Sequence, residues 1–269
     1  MKIEDPPVFK MELIVDRNLR GKKFLIILQN KKMWILQHKD YGLGNFTNLT
    51  PTIKELSKSW GKSVDVYFES PFVEEIFNQS PYINPLKTKP STKPLFSSSL
   101  INKDIQDWRF VYECFNTDNS KIPHTHVPER KTVCIMNGCA TNGPKRDAKN
   151  PGGDVYKEII SMIPVDFDLY FIGNVDDWEA NDWINECEIS TIAVSEPQLC
   201  QHLIRTCDFV ISNDTGWYHV AGAYQKKGFI MWKDTLFLKN QSPNKNFFYS
   251  KKNQWTNDFK KWLTTKILY

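Results

Sequence analysis

The run Asp208-Phe209-Val210-Ile211-Ser212-Asn213-Asp214-Thr215-Gly216-Trp217-Tyr218-His219-Val220-Ala221 takes an apolar strand through a polar corner into a helix. Where a buried strand stops and a helix starts, backbone N–H groups and the positive end of the helix dipole face the carboxyl edge of the sheet. Anionic ligands of open α/β folds bind at such places. Gly216 would let a pyrophosphate approach the backbone, Thr215 adds a hydroxyl, and His219, one turn on, shares their face. The same residues also describe a plain capped helix, with Asp214 or Thr215 as the cap and His219 at the surface. Spacing alone leaves both readings open.

Two other groupings carry weaker chemistry. Gly42-x-Gly44 after a strand, with Glu69 at a later strand end, imitates a dinucleotide fingerprint and its ribose acid, but Thr47 stands at the third glycine position. An oxidoreductase would need nicotinamide binding there. His124-x-His126 has the spacing of a chelating pair, yet no third ligand lies nearby in sequence, so both histidines read as exposed and no metal site is expected. The six cysteines contain no CxxC pair and read as reduced packing residues rather than a disulfide frame.

The elements that would position these residues alternate between strand and helix. Apolar runs at 24–28 and 33–36, separated by Asn30-Lys31-Lys32, suggest a hairpin. A glycine-bearing loop from His38 to Asn45 leads to a helix over 51–60, with Thr50 as its cap and Pro51 at its first position. A strand at 64–68 and a short helix at 72–77 follow. Residues 87–99 read as a surface loop, and 121–130, with two prolines, as an interdomain linker. A second series has strands at 132–136, 168–172, 190–194, 209–212 and 228–232. Its helices are expected at 155–163, roughly 177–185, 197–206, from 215 to about 224, and 258–267. Strict alternation of this kind predicts parallel, doubly wound sheets.

The chain of 269 residues is long enough for two modest domains, and with 41% hydrophobic and 13% aromatic residues it is not a disordered sequence. A net charge of +4 is too mild to demand a polyanionic partner. The start, Met1-Lys2-Ile3-Glu4-Asp5-Pro6-Pro7, lacks the basic and apolar segments of a signal peptide, and no apolar run is long enough to span a membrane. A cytoplasmic protein is expected.

The stretch 210–223 resembles the D-T-G-x-x-H-x-x-A signature of the heptosyltransferase-like glycosyltransferases of family 9. Residues 33–56, with Leu43-Gly44-Asn45-Phe46 and Thr50-Pro51-Thr52-Ile53-Lys54-Glu55-Leu56, resemble that family's opening strand, "GD" loop and "TP…L" helix. Residues 132–160, with Lys149 and Pro151, resemble its first C-domain strand and lysine-bearing loop. The resemblance implies an α/β protein of GT-B fold, with two Rossmann-like domains whose parallel sheets face a central cleft. Residues 1–125 would form a small acceptor-side domain, 126–131 the linker and 132–255 the nucleotide-sugar domain, with 256–269 a helix packing back across the cleft. It further implies that Asn213, Asp214, Thr215, Gly216 and His219 hold the donor's phosphates and sugar. Gly138, Gly173, Asn174 and the 194–197 loop would line the rest of the nucleotide. Lys149 would stabilise the diphosphate leaving group in place of a metal.

Gly42, Gly44 and Asn45 would then form the acceptor-side loop. Here the chain departs from the family, which carries an aspartate as catalytic base where Asn45 stands, and an amide cannot take a proton. Asp40 on the same loop is the first substitute and Glu69 the second. Otherwise the protein binds a nucleotide sugar without turning it over. No cofactor is implied beyond the nucleotide-sugar co-substrate. The acceptor expected from the resemblance is a glycan of lipopolysaccharide type. The Lys-, Asn- and Ile-rich usage, typical of AT-rich bacterial or viral genomes, also suits a phage enzyme that glycosylates hydroxymethylated DNA. Lys87 to Lys93 with Trp108 and Arg109 would then be its DNA surface.

Overall fold

The computed structural model describes residues 33–39, 42–94, 96–97, 130–138, 149–173, 175–192, 197–232, 241–242 and 244–268. Its first strand, β1 (Trp34–Gln37), is buried along its whole length, and the helix that follows, α1 (Leu43–Trp60), is the longest of those described. Strand β2 (Val64–Phe68) alternates buried with half-buried residues. It leads to α2 (Pro71–Phe77), whose first turn is capped by the Ser70 hydroxyl accepting from Val73 N at 3.4 Å. With β3 (Ile83–Pro85) and β4 (Phe96–Ser97) these strands form an all-parallel sheet in the order β3-β2-β1-β4.

Residues further on build a second, larger parallel sheet. Its members are β5 (Lys131–Met136), β6 (Phe167–Ile172), β7 (Ser190–Ile192), β8 (Phe209–Ser212), β9 (Lys227–Trp232) and β10 (Phe247–Lys251). The order β7-β6-β5-β8-β9-β10 is that of a doubly wound nucleotide-binding sheet, and the strand order reverses between β5 and β8. Helices α3 (Gly153–Ser161) and α7 (Trp255–Lys266) pack together on one face, where Tyr156, Ile159, Phe259, Trp262 and Leu263 meet Val133, Ile135, Phe209 and Ile211. Helices α5 (Pro197–Thr206) and α6 (Gly216–Ala223) contact each other, and α5 also contacts β5. Strands covered on both faces are apolar nearly throughout, which is why β5, β8 and β9 stand out in the sequence.

Several expectations need correction. The helix expected at 51–60 begins eight residues earlier, so Gly44 and Asn45 lie in its first turn and not in a loop, with Gly42 as the cap. Pro51 sits inside this helix. Proline removes the bond to the carbonyl four residues back, and the Thr50 hydroxyl supplies it instead, donating to Thr47 O at 2.7 Å. The helix expected near 177–185 is divided into α4 (Val175–Glu179) and a 3-10 turn (Asp182–Glu186). Strand β10, not expected, pairs with β9, and the last helix packs on this second sheet. The strand at 24–28, the linker up to residue 129, Trp108, Arg109, His124 and His126 lie outside the described residues, and Lys131, expected at the linker's end, opens β5. No described helix is long and apolar enough to cross a membrane.

Candidate functional site

At the carboxyl ends of β5 and β8, where the strand order reverses, four residues are tied together. Asn213, the first residue beyond β8, is buried, and its Oδ1 accepts from Gly138 N at 3.3 Å while its Nδ2 donates to Lys149 O at 3.2 Å. One side-chain amide therefore links the ends of both strands to the segment before α3. Next to it, Lys149 Nζ lies 2.7 Å from Asp214 Oδ2. The lysine side chain is 36% exposed and the aspartate 11%, so the cation stands at the lip of the site and the anion inside it. A charge-assisted contact at that distance is of the strong kind.

Thr215 resolves one ambiguity of the sequence. Its Oγ1 accepts from Trp217 N at 3.1 Å and Tyr218 N at 3.4 Å, making it the N-cap of α6. His219 is buried, not at the surface. Its ring meets Tyr218 edge-on at 4.7 Å between centroids, and it lies against α1: a Cβ added at Gly44 would stand 2.6 Å from His219 Cδ2. One added at Gly216 would stand 3.0 Å from Leu43 Cβ. Both glycines thus allow the first turns of α1 and α6 to touch.

Gly138 and Gly173 have a shared neighbour that the sequence did not announce. A Cβ at Gly138 would fall 2.3 Å from Asp177 Cγ, and one at Gly173 would fall 2.9 Å from Asp177 Cβ. Asp177, just past the end of β6, is therefore packed into the corner between the two glycines. A buried asparagine lattice fixes it there. Asn137 Nδ2 donates to Asn150 Oδ1 at 3.0 Å and to Asn181 Oδ1 at 2.6 Å, and Asn181 Nδ2 donates to Asn137 O at 2.8 Å and to the Asp177 carbonyl. A cavity of about 230 Å³ opens beside the lattice, lined by Asn150, Gly153, Asp154, Lys157, Asn181 and Trp183 among others. Asparagines in loops of an asparagine-rich chain give no signal of this arrangement.

The carboxyl edge of the first sheet holds another cluster. Gln37 is buried; its Oε1 accepts from Ser70 N at 3.0 Å and its Nε2 donates to His38 O at 2.7 Å. Glu69 accepts from Lys89 Nζ through Oε1 at 2.7 Å and from Lys39 N through Oε2 at 3.2 Å, and His38 Nε2 lies 3.8 Å from Oε2. The hydrogen bond from Lys89 is the main reason the Glu69 carboxyl is held below its ordinary range. Gly42 caps α1 and Asn45 is exposed in its first turn. Asp40 and Asn174 lie outside the described residues. Among those described, no three His, Cys, Asp or Glu side chains are grouped to hold a metal ion.

The sequence matches no known family description, and no curated protein matches it. Its fold does match solved structures. The ADP-heptose lipopolysaccharide heptosyltransferase II of E. coli superposes with a TM-score of 0.57 at 13% identity, covering 81% of this chain and 90% of that one. A family 9 glycosyltransferase from Veillonella parvula gives 0.58 at 10% identity, covering 88% and 90%. The dodecameric iron-containing E. coli heptosyltransferase TibC, in complex with ADP-D-beta-D-heptose, gives 0.56 at 13%, covering 88% and 69%. At these identities the likeness establishes a shared fold.

Proposed function

We propose that this chain is a glycosyltransferase that moves a sugar from a nucleoside diphosphate sugar to a hydroxyl acceptor. The observation that carries the reading is the Lys149–Asp214 pair, at the point where the strand order of the second sheet reverses and beside the N-terminus of α6. A diphosphate in this place meets a cation at the lip of the site and the positive end of a helix. Both stabilise charge that grows on the leaving group as the glycosidic bond breaks, and they do so without a metal. Asp177, beside Gly138 past the end of the second strand of that sheet, stands where doubly wound domains put the acid that takes a ribose diol. The solved structures of the same fold support the reading, since they include proteins bound to ADP-heptose.

In this reading the halves act as a GT-B pair in the cytoplasm, residues 1–125 taking the acceptor and 132–255 the donor. The acceptor is a glycan of lipopolysaccharide type. Asn45 favours a second reading, a nucleotide-sugar-binding protein without turnover, because it stands exposed at the helix start where the resembled family has its base.

Calorimetric titration with ADP, UDP, GDP, CMP and NAD tests the site. A nucleoside diphosphate should bind, and Lys149→Met should weaken it about 10- to 100-fold, the worth of one charge-assisted bond, with an unchanged circular dichroism spectrum. Binding of NAD alone, or of nothing by the folded protein, sinks the reading. Nucleotide-sugar turnover that survives EDTA supports the metal-free step, and turnover abolished by EDTA and restored by a divalent ion refutes it.

A further inference from the structure

Resting on the glycosyltransferase reading, we propose that His38 is the general base of the transfer and Glu69 the residue that positions it. The step requires a group that takes the acceptor's proton, and Asn45 cannot. Glu69 is a poor candidate for that task itself. Lys89 engages one of its oxygens at 2.7 Å, the Lys39 amide engages the other at 3.2 Å, and the carboxyl is held in its ionised form. A carboxylate so fully engaged is a weak base, but it is well suited to face an imidazole that is about to gain a charge.

His38 is held for this role from both sides. It is the first residue beyond β1, as Glu69 is beyond β2, and the register Gln37↔Phe68 makes the two neighbours across the sheet edge. Its own carbonyl is fixed by buried Gln37 at 2.7 Å, and the next amide, Lys39 N, is fixed by Glu69. The ring turns Nε2 toward Glu69 at 3.8 Å, with its side chain 36% exposed at the carboxyl edge of the sheet. Among the described residues, the charged groups at this corner are Glu69, Lys89, which bonds it, and Lys39 next in the chain. The chain runs from this corner to α1, which starts five residues beyond His38. The first turn of α1 touches Gly216 and His219, two and five residues beyond Asp214.

In the step, the acceptor O–H proton passes to Nδ1 of His38 while the acceptor oxygen bonds to the anomeric carbon. The bond from that carbon to the phosphate oxygen breaks, and its electron pair leaves on the nucleoside diphosphate. The imidazolium, facing Glu69, returns its proton to solvent after product leaves.

The test uses the full chain with ADP-glucose, UDP-glucose and GDP-mannose as donors and methyl glycosides or water as acceptors, reading nucleoside diphosphate release and, separately, donor binding by titration. His38→Asn should lower kcat about 10²- to 10⁴-fold with donor Kd unchanged. Glu69→Gln should lower kcat less and leave donor Kd unchanged, because the ring loses the group that faces it. Glu69→Asp should restore part of that loss. Donor binding intact with His38→Asn turning over at the wild-type rate overturns the proposal, as does a Glu69→Gln loss of kcat that Glu69→Asp does not partly restore. Loss of turnover in Asp40→Asn but not in His38→Asn overturns it in favour of that loop acid. Wild-type protein that neither binds nor turns over these donors overturns the glycosyltransferase reading, and this proposal with it.

Discussion

Gly44→Ala is a sharp test of how the first turns of α1 and α6 are held together. An alanine methyl there would stand 2.6 Å from His219 Cδ2, 3.3 Å from Nε2 and 3.4 Å from Gly216 Cα. Carbon atoms rest at about 3.5–4.0 Å, so the overlap with the ring is nearly 1 Å. The imidazole has little room to yield, since it is 8% exposed and flanked by the Tyr218 ring. Overpacking a buried contact costs about 1–3 kcal/mol. Alanine over glycine in a helix returns about 0.5–1 kcal/mol. The difference runs from about zero to about 2.5 kcal/mol, centred on a net loss of about 1 kcal/mol, and each kcal/mol is some 2–4 °C in Tm in a chain of this size.

Urea and thermal unfolding of three variants check the cause. Gly42→Ala, two residues away with no described atom beyond its chain neighbours within 4 Å of its new methyl, should lose only the roughly 0.5 kcal/mol of exchanging a glycine cap for alanine. In a His219→Ala background, the ring that the methyl strikes is gone, and most of the Gly44→Ala penalty should vanish. That is a coupling of about 1 kcal/mol or more between residues 175 positions apart in sequence. Equal stability of the Gly44→Ala and Gly42→Ala proteins would refute the reasoning, and so would a Gly44→Ala penalty that persists without the histidine.

Thr50→Val should cost about 1–3 kcal/mol, because it strands the Thr47 carbonyl that Pro51 already leaves without its helical partner. In a Pro51→Ala background, where a backbone N–H returns, chemical unfolding should show most of that cost removed. Lys89→Met should destabilise the protein at neutral pH and progressively less as pH falls through the carboxylate range. The folded-state pKa of Glu69 is lowered chiefly by Lys89, so its contribution is present above the unfolded value and disappears as the group is protonated. A stability difference between Lys89→Met and wild type that does not shrink in acid would count against the Glu69 pairing.

Much of the second sheet is legible in the sequence because both faces of a parallel sheet are covered. Phe209 to Ser212 and the run ending at Trp232 are apolar at every exposed-looking alternate position too, which only a doubly covered strand requires. Strand β10 escapes this logic. It lies at the sheet edge with Phe248 and Lys251 exposed, and so reads as mixed. The start of α1 is misread for a local reason: Gly42 caps without a side chain, while Thr50-Pro51 has the form of a helix start in mid-helix. The motif at 213–219 can be picked out as a unit, whereas its chief partner is reached only through the family resemblance and not through its own surroundings in the chain. Lys149 meets Asp214 only because β5 and β8 are neighbours in the sheet, and no local pattern marks one lysine among many.

The structure also divides the labour within that motif, and the division bears on what a ligand would meet. Thr215 is occupied in capping α6, Asn213 in linking two strand ends to the Lys149 backbone, and Gly216 and His219 in the contact with α1. Among the described residues, the charged chemistry of the corner therefore rests on Asp214 and Lys149. Because the two are paired, an entering diphosphate competes with Asp214 for the ammonium group and meets a like charge as it does so. A bare diphosphate gains from the loss of that carboxylate. A nucleotide sugar does not, if the same carboxylate accepts hydrogen bonds from the sugar hydroxyls. The two ligands respond in opposite directions to Asp214→Asn only when Asp214 faces the sugar, and the sign of the difference identifies which end of the donor lies at the helix terminus.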